Sequence, residues 1–126
     1  MGKNKTFYII LGAILIVIIG GVSFLVRIAS EENNMPGKYD DFAKCLKDKD
    51  IIMYGADWCP HCQNEKAAFG NSFKYVNYVE CPADPKRCRA AGINGYPTWV
   101  FPDGKILTGE QPLQELAAAS KCSLPQ

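Results

Sequence analysis

Trp58-Cys59-Pro60-His61-Cys62 is the stretch of this sequence whose residue types and spacing can do covalent chemistry. Two thiols separated by two residues, placed where a buried strand runs into a helix, form a strained disulfide that opens readily. A cysteine at a helix N-terminus sits among unpaired N–H groups and the positive end of the macrodipole, both of which favour its thiolate. In such settings a thiol pKa of about 8.5 falls to about 3.5–7.5. His61, when protonated, adds a nearby positive charge. Stabilising the thiolate stabilises the reduced form, so the disulfide becomes a better oxidant. This chemistry makes Cys59 the attacking or attacked sulfur, activated by His61 with Pro60 opening the helix. Cys62, further into the helix, is the shielded thiol that resolves a mixed disulfide. The competing readings of the pair are a static bridge or half of a zinc site. Zinc needs a second ligand pair, and Cys81 and Cys88 (CPADPKRC) lack zinc-knuckle spacing. With one histidine in the chain, a multi-histidine metal site is excluded, and no metal or other cofactor is expected.

The elements that must hold this motif are legible around it. Ile51 to Gly55 (IIMYG) is a short continuous apolar run, the pattern of a strand buried on both faces. Pro60 is tolerated in the first turn of a helix that continues through Phe69. Upstream, Asp40 or Asp41 can cap a helix with Phe42, Cys45 and Leu46 on one face. Downstream, Tyr75 to Val79 reads as a second strand, and Asp84 to Ala91 as a short helix ended by Gly92. Thr98 to Phe101, Pro102-Asp103-Gly104 and Lys105 to Thr108 read as a hairpin. Pro112 to Ser120 closes the chain with a helix that buries Leu113, Leu116 and Ala117. Helix, strand, helix, strand, short helix, hairpin, helix is the order of a layered α/β sandwich. Gly95-Tyr96-Pro97-Thr98 opens the hairpin, and a proline there, after a glycine and an aromatic, is a candidate for a cis peptide bond. A trans proline at a strand edge is the alternative. Trp58, Trp99, Tyr54, Tyr75 and Tyr78 are core or rim material, Trp58 also being able to shield the active sulfur.

Phe7 to Val26 is twenty residues without a charge. As a helix it extends about 30 Å, the hydrocarbon thickness of a bilayer. The run is longer than the apolar part of a cleaved signal peptide, and Arg27 stands where a cleavage site before Ser30 wants a small residue. An uncleaved anchor is expected: residues 1–6 as a cytoplasmic tail, 7–26 as the transmembrane span, 27–38 as a polar linker, 39–126 as the folded domain. Lys3 and Lys5 precede the span and Arg27 follows it, so the positive-inside bias puts the N-terminus in the cytoplasm and the domain outside. These expectations place the protein in the cell membrane, single-pass.

Composition narrows the classes further. Fourteen basic against 13 acidic residues give a net charge of +1 over 126 residues, which argues against nucleic-acid binding by counterion release. Only 11 of the basic residues lie in 28–126, against all 13 acidic ones, so the domain has no attraction for anionic lipid. Six cysteines in so short a chain fit an oxidising compartment better than the cytosol.

Residues 39 to about 122 resemble the thioredoxin superfamily. The resemblance rests on Trp58-Cys59-Pro60-His61-Cys62 at a strand–helix junction, Tyr96-Pro97-Thr98 before a hairpin, and a terminal helix. It is closer to one branch. Met53 to Cys62, the Glu80-Cys81…Cys88 pair, Ala91-Gly92-Ile93, Gly95 to Trp99 and Leu113 to Ala117 are similar to the thioredoxin-like domain fused to bacterial vitamin K epoxide reductase homologues. Cys-Pro-His-Cys is also the tetrapeptide of periplasmic Dsb-type oxidants.

The resemblance implies a thioredoxin-like three-layer sandwich behind one transmembrane helix, with a cis Tyr96-Pro97 bond packed on the active disulfide. It implies that Tyr96, Pro97 and Thr98, with Trp58, present a substrate backbone by strand addition. It also implies a Cys81–Cys88 disulfide, structural before relay. The expected function is oxidation of cysteines in exported proteins. Electrons would pass to a vitamin K epoxide reductase-like or quinone-linked membrane partner, expected as a separate protein because this chain carries one span and no multi-helix bundle. A tethered reductase and a non-catalytic adaptor are the alternatives. Thioredoxins proper carry a buried acid where this chain has Met53, so the group that deprotonates Cys62 is left open, with Asp57 and Glu65 as candidates. The pairing of Cys45 and Cys122 also stays open. In this fold the first and last helices usually lie on opposite faces, too far apart for a bridge, and Cys45 also reads as a buried thiol.

Overall fold

The computed structural model describes residues 3–32 and 35–126. Met1-Gly2 of the expected tail and Asn33-Asn34 of the expected linker lie outside them. The chain forms two compact units, Met1–Met35 and Pro36–Gln126.

The first unit is one helix, α1 (Lys3–Glu32). Its Asn4–Arg27 stretch, 24 residues that contain an 18-residue window of mean hydropathy 3.0, is long and apolar enough to cross a membrane, and that window is exposed. Such a helix is fit to be an anchor or a signal. It runs on past Val26 because Ile28 to Glu32 contain neither glycine nor proline to stop it.

The second unit carries α2 (Asp40–Asp48), β1 (Ile52–Gly55), α3 (Pro60–Phe69), β2 (Asn77–Glu80), α4 (Pro85–Ala90), β3 (Thr98–Val100), β4 (Ile106–Thr108) and α5 (Leu113–Ser120). The element order expected from the sequence is present. The sheet runs β2-β1-β3-β4, with β1 parallel to β2 and antiparallel to β3, and β3 antiparallel to β4. The hairpin closes where Gly104, at φ 86°, donates to the Phe101 carbonyl at 3.0 Å, a backbone conformation that favours glycine.

Side-chain alternation along β1 splits the core in two. Met53 joins Phe42, Leu46, Cys59, Cys62, Phe69, Trp99, Leu113 and Leu116 on one face. Tyr54 packs with Val79, Cys81 and Cys88 on the other. Phe69 is the hub of the larger cluster, stacked on Phe42 at 5.8 Å and tilted against Trp99 at 5.9 Å. Aromatic pairs of this kind add about 0.5–1.5 kcal/mol each beyond their buried area.

Three local expectations are corrected. Tyr39, not Asp40 or Asp41, occupies the N-cap of α2. Asp40 instead accepts the Gly37 N–H at 3.1 Å, because Pro36-Gly37 turns the chain back toward the helix. The second strand begins at Asn77, since Gly70–Tyr75 form a 3-10 turn whose buried Ser72 accepts the Tyr39 N–H at 3.0 Å. The third correction concerns helix placement. Phe42 and Leu46 of α2 share one cluster with Leu113 and Leu116 of α5, so the first and last helices of this unit meet on one face. That brings the Cα atoms of Cys45 and Cys122 to 5.9 Å, and the two are bonded; Cys45 is not a free buried thiol.

Candidate active site

Two elements deliver the reactive pair. β1 ends at Gly55, and α3 starts at Pro60 with Cys59 as its N-cap in extended conformation. The connecting turn is closed by the Cys59 N–H donating to the Ala56 carbonyl at 3.0 Å, while the Cys59 carbonyl receives the Gln63 N–H at 3.1 Å. Gln63 also donates its side-chain amide to the Asp57 carbonyl at 2.7 Å, which fixes the turn from the helix side. Cys59 and Cys62 are free thiols, both buried. The Cys59 thiol points to the Tyr96 carbonyl at 3.7 Å, which brings the Gly95–Thr98 loop to the sulfur. Cys62 is fully enclosed, and burial pushes its thiol up to about 11, opposed by a backbone hydrogen bond from Ala56 and raised further by Cys59. One sulfur borders the Gly95–Thr98 loop, and the other is a deep thiol that holds its proton.

The remaining expected site residues fall around this pair. Tyr96-Pro97 is a cis peptide bond, with Pro97 fully buried. Thr98 is buried too; its hydroxyl donates to the Gly95 carbonyl at 2.8 Å, and it lies in the ladder between Tyr54 and Thr108. Trp58 is 69% exposed and stands edge-on to Tyr96 at 6.1 Å. Pro60 is exposed at the first helical position. The His61 ring is exposed and engages Glu110 at 2.7 Å through Nδ1. No local pattern singles out Glu110, which lies 49 positions from His61 on the loop before α5. His61 beside it, and Asn64, hold its carboxyl below the usual carboxylate range.

A family model described as Thioredoxin matches residues 33–121. The chain belongs to the thioredoxin family. It is 44% identical over 93 residues to "Thiol-disulfide oxidoreductase LTO1" of Arabidopsis thaliana, covering 67% of this chain and 24% of that protein. It is 33% identical over 70 residues to a "Protein disulfide-isomerase" of Arthroderma benhamiae, covering 48% of this chain and 13% of that one. The chain therefore spans a quarter or less of the length of these curated relatives. Among solved structures, Fasciola hepatica thioredoxin aligns at 18% identity and TM-score 0.44, over 58% of this chain and 79% of that one. Membership of the family makes the α/β fold with its mixed sheet thioredoxin-like, and one N-terminal helix is long and apolar enough to serve as membrane anchor or signal.

In this thioredoxin-family chain both carboxyls offered in place of an acid at Met53 are committed elsewhere. Asp57 is exposed and pairs with Lys66 at 2.5 Å, which holds its pKa below the ordinary value. Glu65 is 2% exposed, and its Oε2 accepts the Gln111 N–H at 2.7 Å. Neither Glu65 Oε1 nor Trp99 Nε1 has a partner in hydrogen-bond geometry among the described residues. Burial pushes the Glu65 carboxyl up to about 7 against the backbone bond from Gln111.

That value has a consequence for stability. In the unfolded chain Glu65 ionises near pH 4.5, but in the folded chain it keeps its proton up to about 7. The folded state therefore binds more protons between those values, and stability falls as pH rises through the window. The full effect is about 3 kcal/mol, complete above pH 8 and absent below pH 4. Glu65→Gln should flatten this part of the profile and leave the variant more stable than the parent at pH 8. Urea unfolding at pH 5 and pH 8 checks it; equal pH slopes in the two proteins contradict the assignment.

The two closed bridges are placed differently. Cys81–Cys88 joins the exit of β2 to α4, buried on the Tyr54 face of the sheet, away from the cluster that holds Cys59 and Cys62. Cys45–Cys122 ties α2 to the segment after α5.

Proposed function

We propose that the protein is a membrane-tethered oxidant of exported proteins, with its N-terminus in the cytoplasm and its thioredoxin-like domain in an oxidising compartment. The observation that carries this reading is the division of labour among the cysteines. Four are closed in two structural bridges, which persist only where the surroundings are oxidising, while Cys59 and Cys62 stand free at the start of α3. A substrate thiolate attacks Cys59 Sγ of the Cys59–Cys62 disulfide, and Cys62 leaves as a thiolate that takes up a proton. A second substrate thiol loses its proton and attacks the substrate sulfur of the mixed disulfide. The substrate leaves oxidised, and two electrons stay in the Cys59/Cys62 dithiol. A disulfide of a vitamin K epoxide reductase-like or quinone-linked membrane protein then accepts them. Exposed Trp58 and half-buried Tyr96 form the aromatic rim over which the substrate chain lies, with the Gly95–Thr98 backbone beside it.

The high pKa of Cys62 fits either redox direction, so the reduction potential is the deciding measurement. Full-length protein in detergent, equilibrated against glutathione buffers, should show a Cys59–Cys62 potential above about −200 mV, toward the −120 mV of strong oxidants. A value near −270 mV, that of thioredoxin, overturns the oxidising direction and makes the protein a tethered reductase.

A further inference from the structure

Cys62 must gain a proton when it leaves the disulfide and lose it when the dithiol is reoxidised. Its thiol is fully enclosed, Met53 offers no acid, and Asp57 and Glu65 are turned to Lys66 and Gln111. A further polar group approaches this thiol from the neighbouring strand. β1 pairs with β2 so that Tyr78 lies opposite Met53 and Glu80 opposite Gly55. Gly55 lacks a side chain where the two strands face α3. A Cβ there would lie 2.9 Å from Cys62 Sγ and 3.2 Å from Tyr78 Oη, too close to the first for any other residue. The bare glycine lets sulfur and phenol both border one spot, close enough for a single bridging water to join them.

From Tyr78 a hydrogen-bonded line leads outward. Tyr78 Oη donates to Glu80 Oε2 at 2.5 Å, and Glu80 Oε1 accepts the Asp57 N–H at 3.1 Å. The Tyr78 ring is held by Lys66 Nζ at 4.0 Å on one side and by Phe73, edge-on at 5.6 Å, on another. Lys66 closes the line at the surface through its pair with Asp57, and its positive charge favours the Cys62 thiolate. Since the phenol hydrogen is given to Glu80, the free lone pairs of Oη are available to accept from Cys62.

We propose that Tyr78 and Glu80 form the proton relay of Cys62, taking over from β2 the task that an acid at position 53 would perform. When Cys62 attacks Cys59 Sγ, the Cys62 proton passes to Tyr78 Oη as the Tyr78 proton passes to Glu80. The Cys59–Cys62 bond forms, the partner sulfur leaves with the electron pair of the broken mixed disulfide, and Glu80 releases its proton to water beside Asp57. The same line runs backward when a substrate expels Cys62. Burial and the bond to Glu80 keep Tyr78 protonated at all working pH values, so it acts as a conduit and not as a phenolate base. The titratable groups around Cys62 are Cys59 and Lys66 on α3, Asp57 on the preceding turn, and Tyr78 and Glu80 on β2.

This inference rests on the dithiol exchange proposed above, and its test separates the two. Reduced full-length protein in detergent is mixed with 5,5′-dithiobis(2-nitrobenzoate), and thionitrobenzoate release is followed by stopped flow from pH 5 to 9. Attack by Cys59 gives the first equivalent, and closure by Cys62 gives the second. Tyr78→Phe keeps the ring contacts and removes the conduit, so its second phase should slow at least tenfold relative to the first at pH 7. The slowed phase should rise more steeply with pH, as hydroxide takes over. Glu80→Gln, which keeps an acceptor for the Asp57 N–H, should slow the same phase and serves where Tyr78→Phe fails to fold. A second phase unchanged in both rate and pH profile in a folded variant overturns the relay. Absence of the first phase in the parent protein overturns the exchange reading instead.

Discussion

Cys59→Ser should lose dithiol oxidation by at least about a thousandfold, down to the uncatalysed background, because a hydroxyl at this position neither ionises nor leaves as a thiolate does. The substitution is structurally mild. Cys59 is the N-cap of α3 and makes no side-chain cap bond, whereas serine is a preferred N-cap residue. Thermal stability should therefore be unchanged or slightly raised while activity vanishes, so the loss cannot be put down to unfolding. Cys62→Ala should behave in the opposite way toward clients. Cys59 still attacks, but the thiol that would resolve the product is gone, and mixed disulfides with substrate cysteines accumulate on non-reducing gels. A scaffold whose cysteines were only structural would capture nothing. Retained oxidation of a dithiol peptide by Cys59→Ser would show that the sulfur facing the Tyr96 carbonyl is not the one that exchanges.

What the sequence disclosed and what it withheld follow one physical division. Features set by near neighbours in the chain were readable. An apolar five-residue run, a proline one residue after a cysteine and a Pro-Asp-Gly turn each have a local cause, and they yield β1, α3 and the β3–β4 hairpin. Features set by distant packing were not. His61 meets a carboxylate 49 positions away, and the Glu65 carboxyl is fixed by the backbone of Gln111, 46 positions away. No local pattern announces either contact. Tyr78 reads equally well as core or rim until the β1–β2 register puts it opposite Met53. Gly55 shows the same limit. Its need for hydrogen in place of a side chain arises from Cys62 and Tyr78, not from any turn in its own backbone. The pairing of Cys45 with Cys122 stayed open in the sequence, because it depends on which sheet face each helix covers.

That bridge carries the second large expected effect. It closes a loop with a sequence separation of 77, against 7 for Cys81–Cys88. On the chain-entropy account the longer loop restrains the unfolded state by roughly 4.5 kcal/mol and the shorter by roughly 2.4 kcal/mol. Replacing Cys45 and Cys122 together with alanine should therefore cost about 2–5 kcal/mol, a large share of the 5–15 kcal/mol typical of a whole domain. At about 4–8 °C per kcal/mol, the melting temperature should drop by at least about 8 °C. The Cys81/Cys88 double alanine variant should lose less. The folded state keeps a second tie at the same place, since Lys49 Nζ donates to the Ser120 carbonyl at 2.7 Å. Neither Cys45 nor Cys122 borders Cys59 in the way Tyr96 does, so below its melting temperature the Cys45/Cys122 variant should react with thiol reagents at the parent rate. Calorimetry of both double variants, paired with the two-phase thionitrobenzoate assay, separates stability from chemistry. A larger loss on removing the short loop would mean that native packing around Cys81 and Cys88, not restriction of the unfolded chain, sets what these bridges contribute. The long bridge joins the two ends of the folded unit and leaves β1 and α3, the elements that aim the reactive sulfurs, to be held by the Phe42–Phe69–Trp99 core.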